Sequence, residues 1–159
     1  MGSGVIFVGG SGRPIDKVLP CLNMVNLDST QQVQDLVTAA TACTATGIRW
    51  SFDINASHAS TAVTSVAWAI VILRDGRTAN TLAISAGSNL YEPEQDVLAF
   101  GRGTVMQSSS TAGPKSVHFE GDTKTMRKLK IGDKLTFIAL GEATNVTELL
   151  GTVQVFCRF

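Results

Sequence analysis

The sequence has no excess of charge of either sign and no long hydrophobic run. Lysine plus arginine number 13 and aspartate plus glutamate also number 13, so the formal net charge of the 159 residues is zero. That balance excludes the strongly basic composition typical of nucleic-acid-binding domains. The longest apolar run, Val66–Leu73, is closed by Arg74 and is well below the roughly 18 residues of a membrane-spanning helix. We therefore expect no membrane contact.

Cysteine is also scarce. The three cysteines, Cys21, Cys43 and Cys157, are odd in number and form no close pair, and neither His58 nor His118 is next to one of them. A disulfide framework needs an even count, and a zinc site needs closely spaced cysteines or histidine partners. The pattern therefore predicts that the cysteines are small apolar residues of a protein in a reducing compartment.

Residues 1–46 differ in pattern from the rest of the chain. A β-like run, Val5–Val8, leads into a stretch of glycines, which is the context of a nucleotide-binding turn. The dinucleotide pattern would need a third glycine where Ile15 stands, and the Gly-Lys-Ser/Thr of a P-loop is absent. Pro14 also removes a backbone donor from any phosphate cradle. The stretch therefore favours a flexible lead segment.

Two patterns overlap in residues 28–42. Val33, Leu36, Val37 and Ala40 lie on one helical stripe, whereas Thr38–Thr46 is rich in threonine and alanine without helical spacing. Periodicity alone leaves helix and strand open here.

After Gly47 the pattern is that of β-strands separated by turns. In Arg49–Ile54 the large apolar residues occupy every second position, which indicates a strand with one buried face. The predicted strands are Arg49–Ile54, Val66–Leu73, Leu82–Ile84, Val97–Met106, Val117–Phe119, Thr125–Leu129, Leu135–Leu140 and Val153–Phe159. Without a β-α-β alternation, such strands predict an antiparallel sandwich, roll or barrel.

The same alternation predicts the core between the two sheets. The residues expected to be largely buried are Trp50, Phe52, Ile54, Trp68, Ile70, Ile72, Leu98, Phe137 and Val155.

The sequence offers few groups for catalysis or metal binding. The strand pleat places His118 and Glu120 on one face, as a base and its orienting partner would be, but a hydrogen-bonded surface histidine explains the pair more simply. Glu92, Glu94 and Asp96 alternate in a way that suits calcium, yet the glycine and final glutamate of a hand-type loop are missing. We expect no enzymatic activity, no metal and no cofactor.

Basic residues are concentrated in one segment. Five of the 13 lie within 12 positions, namely Lys124, Arg127, Lys128, Lys130 and Lys134. Such a segment is able to hold phosphates by electrostatics alone. It is equally typical of a solvated strand edge that lysines protect against aggregation, which is the simpler interpretation for a monomer.

Five motifs occur in order along the chain. They are TATGIRWS at Thr44–Ser51, WAIVILRDG at Trp68–Gly76, YEPEQDVLAFG at Tyr91–Gly101, TKTMRKL at Thr123–Leu129 and GTVQVF at Gly151–Phe156. Together they resemble the capsid proteins of small circular single-stranded DNA viruses that encode a replication-initiator protein, the circovirus-like coats. The resemblance spans residues 33–159.

The resemblance implies an all-β fold, a single eight-stranded antiparallel jelly roll over 33–159, preceded by a partly flexible lead segment over 1–32. It favours a strand within residues 33–46. It also implies self-assembly into an icosahedral shell of T=1 type, on the order of 60 copies, around a circular single-stranded DNA genome. The expected partners are copies of the chain, weakly held DNA and an unknown host receptor. The expected location is the virion, with assembly in the nucleus or cytoplasm of the host cell.

The sequence departs from such coats at its start. They usually begin with an arginine-rich arm, whereas residues 1–46 contain only Arg13 and Lys17 as basic residues. Any contact with DNA therefore falls to the basic segment. Alternation places Lys124, Lys128 and Lys130 on one face as nucleic-acid-binding candidates, and Arg127 on the other, paired with a carboxylate at a subunit boundary or within the chain.

The competing function is a soluble β-sandwich module that binds a ligand or a carbohydrate. Such modules usually expose aromatic residues on one sheet face. Here Tyr91 is the only tyrosine, and the positions of Trp50 and Trp68 within alternating strands indicate burial.

Overall fold

The chain is mainly β-strand in the part described by the computed structural model, which comprises residues 4–6, 16–18, 21–27, 30–58, 63–79, 95–106, 113–141 and 146–158. Ten strands lie in these ranges: β1 Gly4–Ile6, β2 Asp16–Val18, β3 Cys21–Leu27, β4 Gln32–Ala39, β5 Cys43–His58, β6 Val63–Leu73, β7 Gln95–Met106, β8 Gly113–Leu129, β9 Lys134–Gly141 and β10 Val146–Arg158.

The strands form two sheets. Sheet I has the order β1-β4-β9-β6-β7, and sheet II has the order β10-β5-β8, with β2 and β3 pairing with different parts of the free edge of β10. We also number the strands of the sandwich 1 to 8 along the chain, with β2 and β3 together as strand 1 and β4 to β10 as strands 2 to 8. In this numbering sheet II has the order 1-8-3-6, and sheet I, without β1, has the order 2-7-4-5. This is the strand order of a jelly roll, so the predicted fold class is confirmed. The short β1 is additional and pairs with β4 in parallel.

The open question of residues 28–42 is answered by β4, which is a strand. Its pairing with β9 shifts register between Asp35 and Val37, as at a β-bulge. Because of that extra residue, the adjacent Leu36 and Val37 are both fully buried, while Val33 is exposed. Of the four residues on the apparent helical stripe, only this adjacent pair is buried, since Ala40 is exposed as well as Val33.

Two predicted strands are one. The segments Val117–Phe119 and Thr125–Leu129 both belong to the long β8, which pairs with β5 over almost its whole length. The predicted strand Leu82–Ile84 lies outside the described residues.

The core lies between the sheets and has an aromatic centre. Of the nine residues predicted to be buried, Phe52, Ile54, Trp68, Ile70, Ile72, Phe137 and Val155 are buried, whereas Trp50 and Leu98 are half-buried against the same cluster. The rings of Trp68 and Phe137 are stacked with centroids 5.9 Å apart, and Phe52 meets both edge-on.

The second face of sheet I is apolar as well. Ala67, Ala69, Val71 and Leu73 alternate with the core residues of β6 and are buried together with Ile138 and Leu140 of β9. Burial of both faces explains why Val66–Leu73 is a continuous apolar run rather than an alternating one.

The division of the chain between residues 32 and 33 stays a prediction. Strand β3, from the segment assigned to the lead, pairs with β10 from Cys21 to Leu27. Its Leu22, Met24 and Leu27 are buried in the main core, so this part of the segment belongs to the sandwich.

Candidate interaction surface

The outward-facing side of sheet II carries Lys124 and Lys128 of the predicted site residues, together with His118 and Glu120. Along β8, the exposed residues alternate with half-buried ones from Ser116 to Met126, as expected for a strand with one solvent-facing side. The register of β8, β5 and β10 brings residues from distant parts of the sequence to the same level across the sheet. The matched levels are His118 with Asp53 and Leu150, Glu120 with Ser51 and Thr152, Asp122 with Arg49 and Gln154, Lys124 with Gly47 and Phe156, and Lys128 with Thr44 and Arg158. We call this surface the outer face of sheet II.

The charges on this face are segregated along the strands. Asp53, Glu120, Asp122 and Glu148 lie at one end, which we call the acidic end. Lys124, Lys128 and Arg158, all exposed, lie at the other end, the basic end. The acidic end also contains Arg49 and His118, which are paired across the strands with Asp122 and Asp53. The sign of the charge changes between Asp122 and Lys124.

The predicted nucleic-acid-binding lysines do not form one strand face. Lys124 and Lys128 belong to the basic end, but β8 ends at Leu129. Lys130 lies beyond that end, in the turn before β9, so strand alternation does not assign it to the outer face. Its side chain is exposed, and its backbone N–H donates to Asp133 Oδ2 at 2.8 Å. A nucleic-acid contact of these three lysines stays a prediction.

Arg127 makes an ion pair within the chain. It is opposite the inward-facing Ala45, and its Nε is 3.8 Å from Asp96 Oδ2 of β7. The same carboxylate oxygen accepts from Arg74 Nη2 at 3.2 Å. Because Arg127 is about half exposed, the pair is weak by itself. A role of Arg127 at a subunit boundary stays a prediction.

A buried carboxylate, Asp133, holds the turn next to the basic end. It accepts from Arg74 Nη1 at 2.7 Å and from the backbone N–H groups of Lys130 and Asp75 at 2.8 and 3.1 Å. Burial raises the pKa of Asp133, but these hydrogen bonds and the nearby guanidinium outweigh it and hold the pKa below its ordinary value. Arg74 also donates to the Lys128 carbonyl oxygen at 2.9 Å, so this cluster positions the end of β8.

A polar group surrounds His118 at the acidic end. Its Nδ1 is 2.7 Å from Asp53 Oδ1, and its Nε2 is 3.4 Å from Ser51 Oγ and 3.6 Å from Glu120 Oε2. The order Ser-His-Asp resembles a hydrolase relay, but Glu120 competes with Ser51 for the same nitrogen, and the ring is half exposed. Protonated His118 is therefore well placed to bridge two carboxylates. Sequence reasoning identified His118 and Glu120, and the alternation in Arg49–Ile54 already places Ser51 and Asp53 on one face.

We expect Asp53→Asn to lower the pKa of His118. The pKa is raised mainly by the hydrogen bond to Asp53 and less by Glu120, while desolvation opposes both. Because the pKa of His118 is raised in the folded state, its pairing with Asp53 stabilises the fold fully below pH 6.5, the ordinary pKa of histidine. This stabilisation is lost as pH rises through the pKa of the folded state. NMR titration of the histidine ring protons in wild type, Asp53→Asn and Glu120→Gln measures the shifts. A larger effect of Glu120→Gln than of Asp53→Asn would contradict this geometry.

The described residues contain no group of three or more histidine, cysteine, aspartate or glutamate side chains arranged to hold a metal ion. No helix within those ranges is long and apolar enough to cross a membrane.

Comparison with known proteins gives a likeness in structure and none in sequence. No family model matches the sequence, and a search of curated proteins finds no match. Among solved structures, the chain is similar to the Eiger TNF of S. frugiperda, with 9% sequence identity and a TM-score of 0.46 over 92% of this chain and 94% of that one.

Proposed function

We propose that this chain is the coat subunit of a small circular single-stranded DNA virus and assembles with copies of itself into a closed icosahedral shell around the genome. The observation that carries the proposal is the strand order, 1-8-3-6 opposite 2-7-4-5, which is the single jelly roll that the capsid-like motifs imply.

The positions of the motifs support the same proposal. The segment Thr44–Ser51 lies within β5, Trp68–Leu73 ends β6, Thr123–Leu129 ends β8 and Gly151–Phe156 lies within β10. Four motifs thus fall on four different strands of the jelly roll, and Arg74–Gly76, which closes the Trp68 motif, forms a turn with a positive φ at Gly76.

Self-assembly is compatible with the surface of the subunit. Zero net charge removes long-range repulsion between copies. Phe100, Met126 and Ile131 are each about two thirds exposed or more, and large apolar residues of this kind are often covered at interfaces. For the competing carbohydrate-binding module, Trp68 is in the core and Trp50 is half-buried against it, so neither tryptophan offers a flat exposed platform to a sugar ring.

Electron micrographs of the purified full chain test the proposal. We expect uniform closed particles of T=1 size, on the order of 60 copies, with a matching single fast-sedimenting species. A shell-forming function would be contradicted if the protein stayed monomeric across a range of ionic strength and protein concentration. Its circular dichroism must show a β-sheet spectrum, so that the monomers are known to be folded.

A further inference from the structure

We propose that the outer face of sheet II binds the same face of a second copy of this chain, with the strands reversed, so that the basic end of each copy meets the acidic end of the other. The inference rests on the proposed function in the sense that it names one contact a shell-forming subunit would use. It concerns a pairwise contact, however, and is measurable without any shell.

The charge pattern makes the face complementary to itself. The four carboxylates of the acidic end outnumber the single arginine beside them, whereas the basic end has three exposed cations and no carboxylate among the outward-facing described residues of β5, β8 and β10. A two-fold axis that lies in the interface and runs perpendicular to the strands exchanges the two ends. Each favourable contact then occurs twice, as in any symmetric dimer.

The point of charge reversal fixes the place of the axis. It lies between the levels of Asp122 and Lys124, which are two residues apart on β8. Reversal about this point places Lys124 of one copy over Asp122 of the second copy. On β10, Arg158 is only two residues beyond Phe156, whereas β8 and β5 have extra residues at a bulge there, so reversal brings Arg158 to the level of Thr152. Lys128 shares that level and comes to lie over Glu120 of the second copy. The sheets would cross at an angle of roughly 30°, as twisted sheets do when packed face to face.

The face also contributes apolar contact and adequate area. Met126 is 67% exposed and Leu150 is 36% exposed. The half-buried Phe156 lies beside Gly47, and both line an open cleft of about 240 Å³. At about 3.3 Å per residue and 4.8 Å between strands, three strands from Ser116 to Lys128 cover about 600 Å² per copy. This is at the lower end of the range for specific interfaces, which suits a weak contact repeated many times in an assembly.

The charge pattern favours a protein partner over nucleic acid. A single strand that follows the basic end along β8 would reach Asp122, Glu120 and the paired Asp53 within a few residues, and its phosphates would be repelled there. Uninterrupted positive charge is what a nucleic-acid groove requires. A second copy of the chain pairs the charges at both ends of the face with charges of opposite sign.

A charge-swap experiment tests the contact. Variant A, Lys124→Glu with Lys128→Glu, makes the face predominantly acidic, and variant B, Glu120→Lys with Asp122→Lys, makes it predominantly basic. Analytical ultracentrifugation of the full chain at about 50 mM and about 500 mM salt measures self-association. We expect wild type to associate at low salt, each variant alone to associate at least about tenfold more weakly, and an equimolar mixture of A and B to recover association as a heterodimer.

A matched control separates position from net charge. Arg77→Glu with Arg102→Glu makes the same change in net charge as variant A but lies outside sheet II, and both residues are exposed. We expect its association to equal that of wild type. Circular dichroism of every variant verifies folding. Three results would each overturn the proposal. The A–B mixture could fail to associate, or the control could weaken association as much as variant A does. The third is a wild type that stays monomeric at low salt while it binds an oligo-dT probe through Lys124 and Lys128.

The two proposals fail in different ways. Normal particles from variants A and B would show that the shell forms without this contact and would overturn only the contact. Recovery of the heterodimer from A and B, in a protein that never forms closed particles, would support the contact and overturn the shell.

Discussion

Asp133→Ala is expected to lower the free energy of unfolding by about 3 kcal/mol. Its carboxylate is 3% exposed and accepts from two backbone N–H groups, those of Lys130 and Asp75, as well as from Arg74. A hydrogen bond to a charged group contributes about 1.5–3 kcal/mol, and alanine removes the acceptor of both backbone donors at this part-buried turn. Chemical denaturation followed by tryptophan fluorescence measures the loss, because Trp68 is in the core.

The matched control is Asp96→Ala. Asp96 also accepts from Arg74, at 3.2 Å, but it is about one third exposed, and its second partner, Arg127, is an ion pair at 3.8 Å with a half-exposed guanidinium group. Exposed ion pairs contribute about 0–1 kcal/mol, so we expect at most that loss. If the two substitutions destabilised the protein equally, the contribution of Asp133 would come from its ion pair with Arg74 and not from its hydrogen bonds to the backbone of the turn.

The stabilisation by Asp133 also depends on pH in a defined direction. Because its pKa is lower in the folded protein than the ordinary value of 3.8, the contribution is complete above that value and is lost as pH falls through the folded pKa. The difference in stability between wild type and Asp133→Ala should therefore narrow below about pH 3.8.

The fold class was predictable because the large apolar residues alternate where a strand has one buried face. Arg49–Ile54 is such a segment, and its Phe52 and Ile54 are buried as expected. The full length of β8 was not predictable in the same way. Its inward-facing positions between Phe119 and Leu129 include Gly121, Thr123 and Thr125, none of which is a large apolar residue, so the hydrophobic pattern is interrupted and the segment resembles two short strands.

The candidate surface was predictable only in part, for a related reason. The basic end is mostly local in sequence, since Lys124 and Lys128 come from one strand, and a count of charges along the chain finds it. The acidic end combines Asp53, Glu120 and Glu148 from three strands. Their proximity depends on the pairing register of β5 with β8 and β10, which no local pattern in the sequence specifies.

A recurring cross-strand pairing makes room for the large rings of the core. Trp68 is directly opposite Gly101, Trp50 is opposite Gly121 and Phe52 is opposite Gly151. An aromatic ring that covers a cross-strand glycine shields its backbone and fills the space that a side chain would take. The glycines are therefore part of the packing of the aromatic cluster and not simply interruptions of the strands.

Gly101→Val is accordingly expected to destabilise the protein by about 1–3 kcal/mol, the usual cost of overpacking a core. A Cβ at this position would lie 2.8 Å from Trp68 Cζ2 and 2.9 Å from Cε2. The ring has no room to move, because it is stacked on Phe137 and contacts Phe52 edge-on. Valine has a high strand propensity, so a loss of stability would report the clash and not a weaker strand. Thermal unfolding and the near-ultraviolet circular dichroism of the tryptophans measure it.

Gly47→Ala is the matched control, since Gly47 is also a strand glycine beside an aromatic ring. A Cβ there would meet Phe156 Cδ2 at 3.6 Å and the Thr123 carbonyl oxygen at 3.5 Å, which are ordinary contacts. We expect a change within about 0.5 kcal/mol, while Gly101→Ala, which introduces the same single methyl group against Trp68, should already be measurably destabilising. If Gly101→Ala and Gly47→Ala were equally tolerated, the Trp68 ring would have to be free to shift, and the tightly packed aromatic centre inferred for this jelly roll would be wrong.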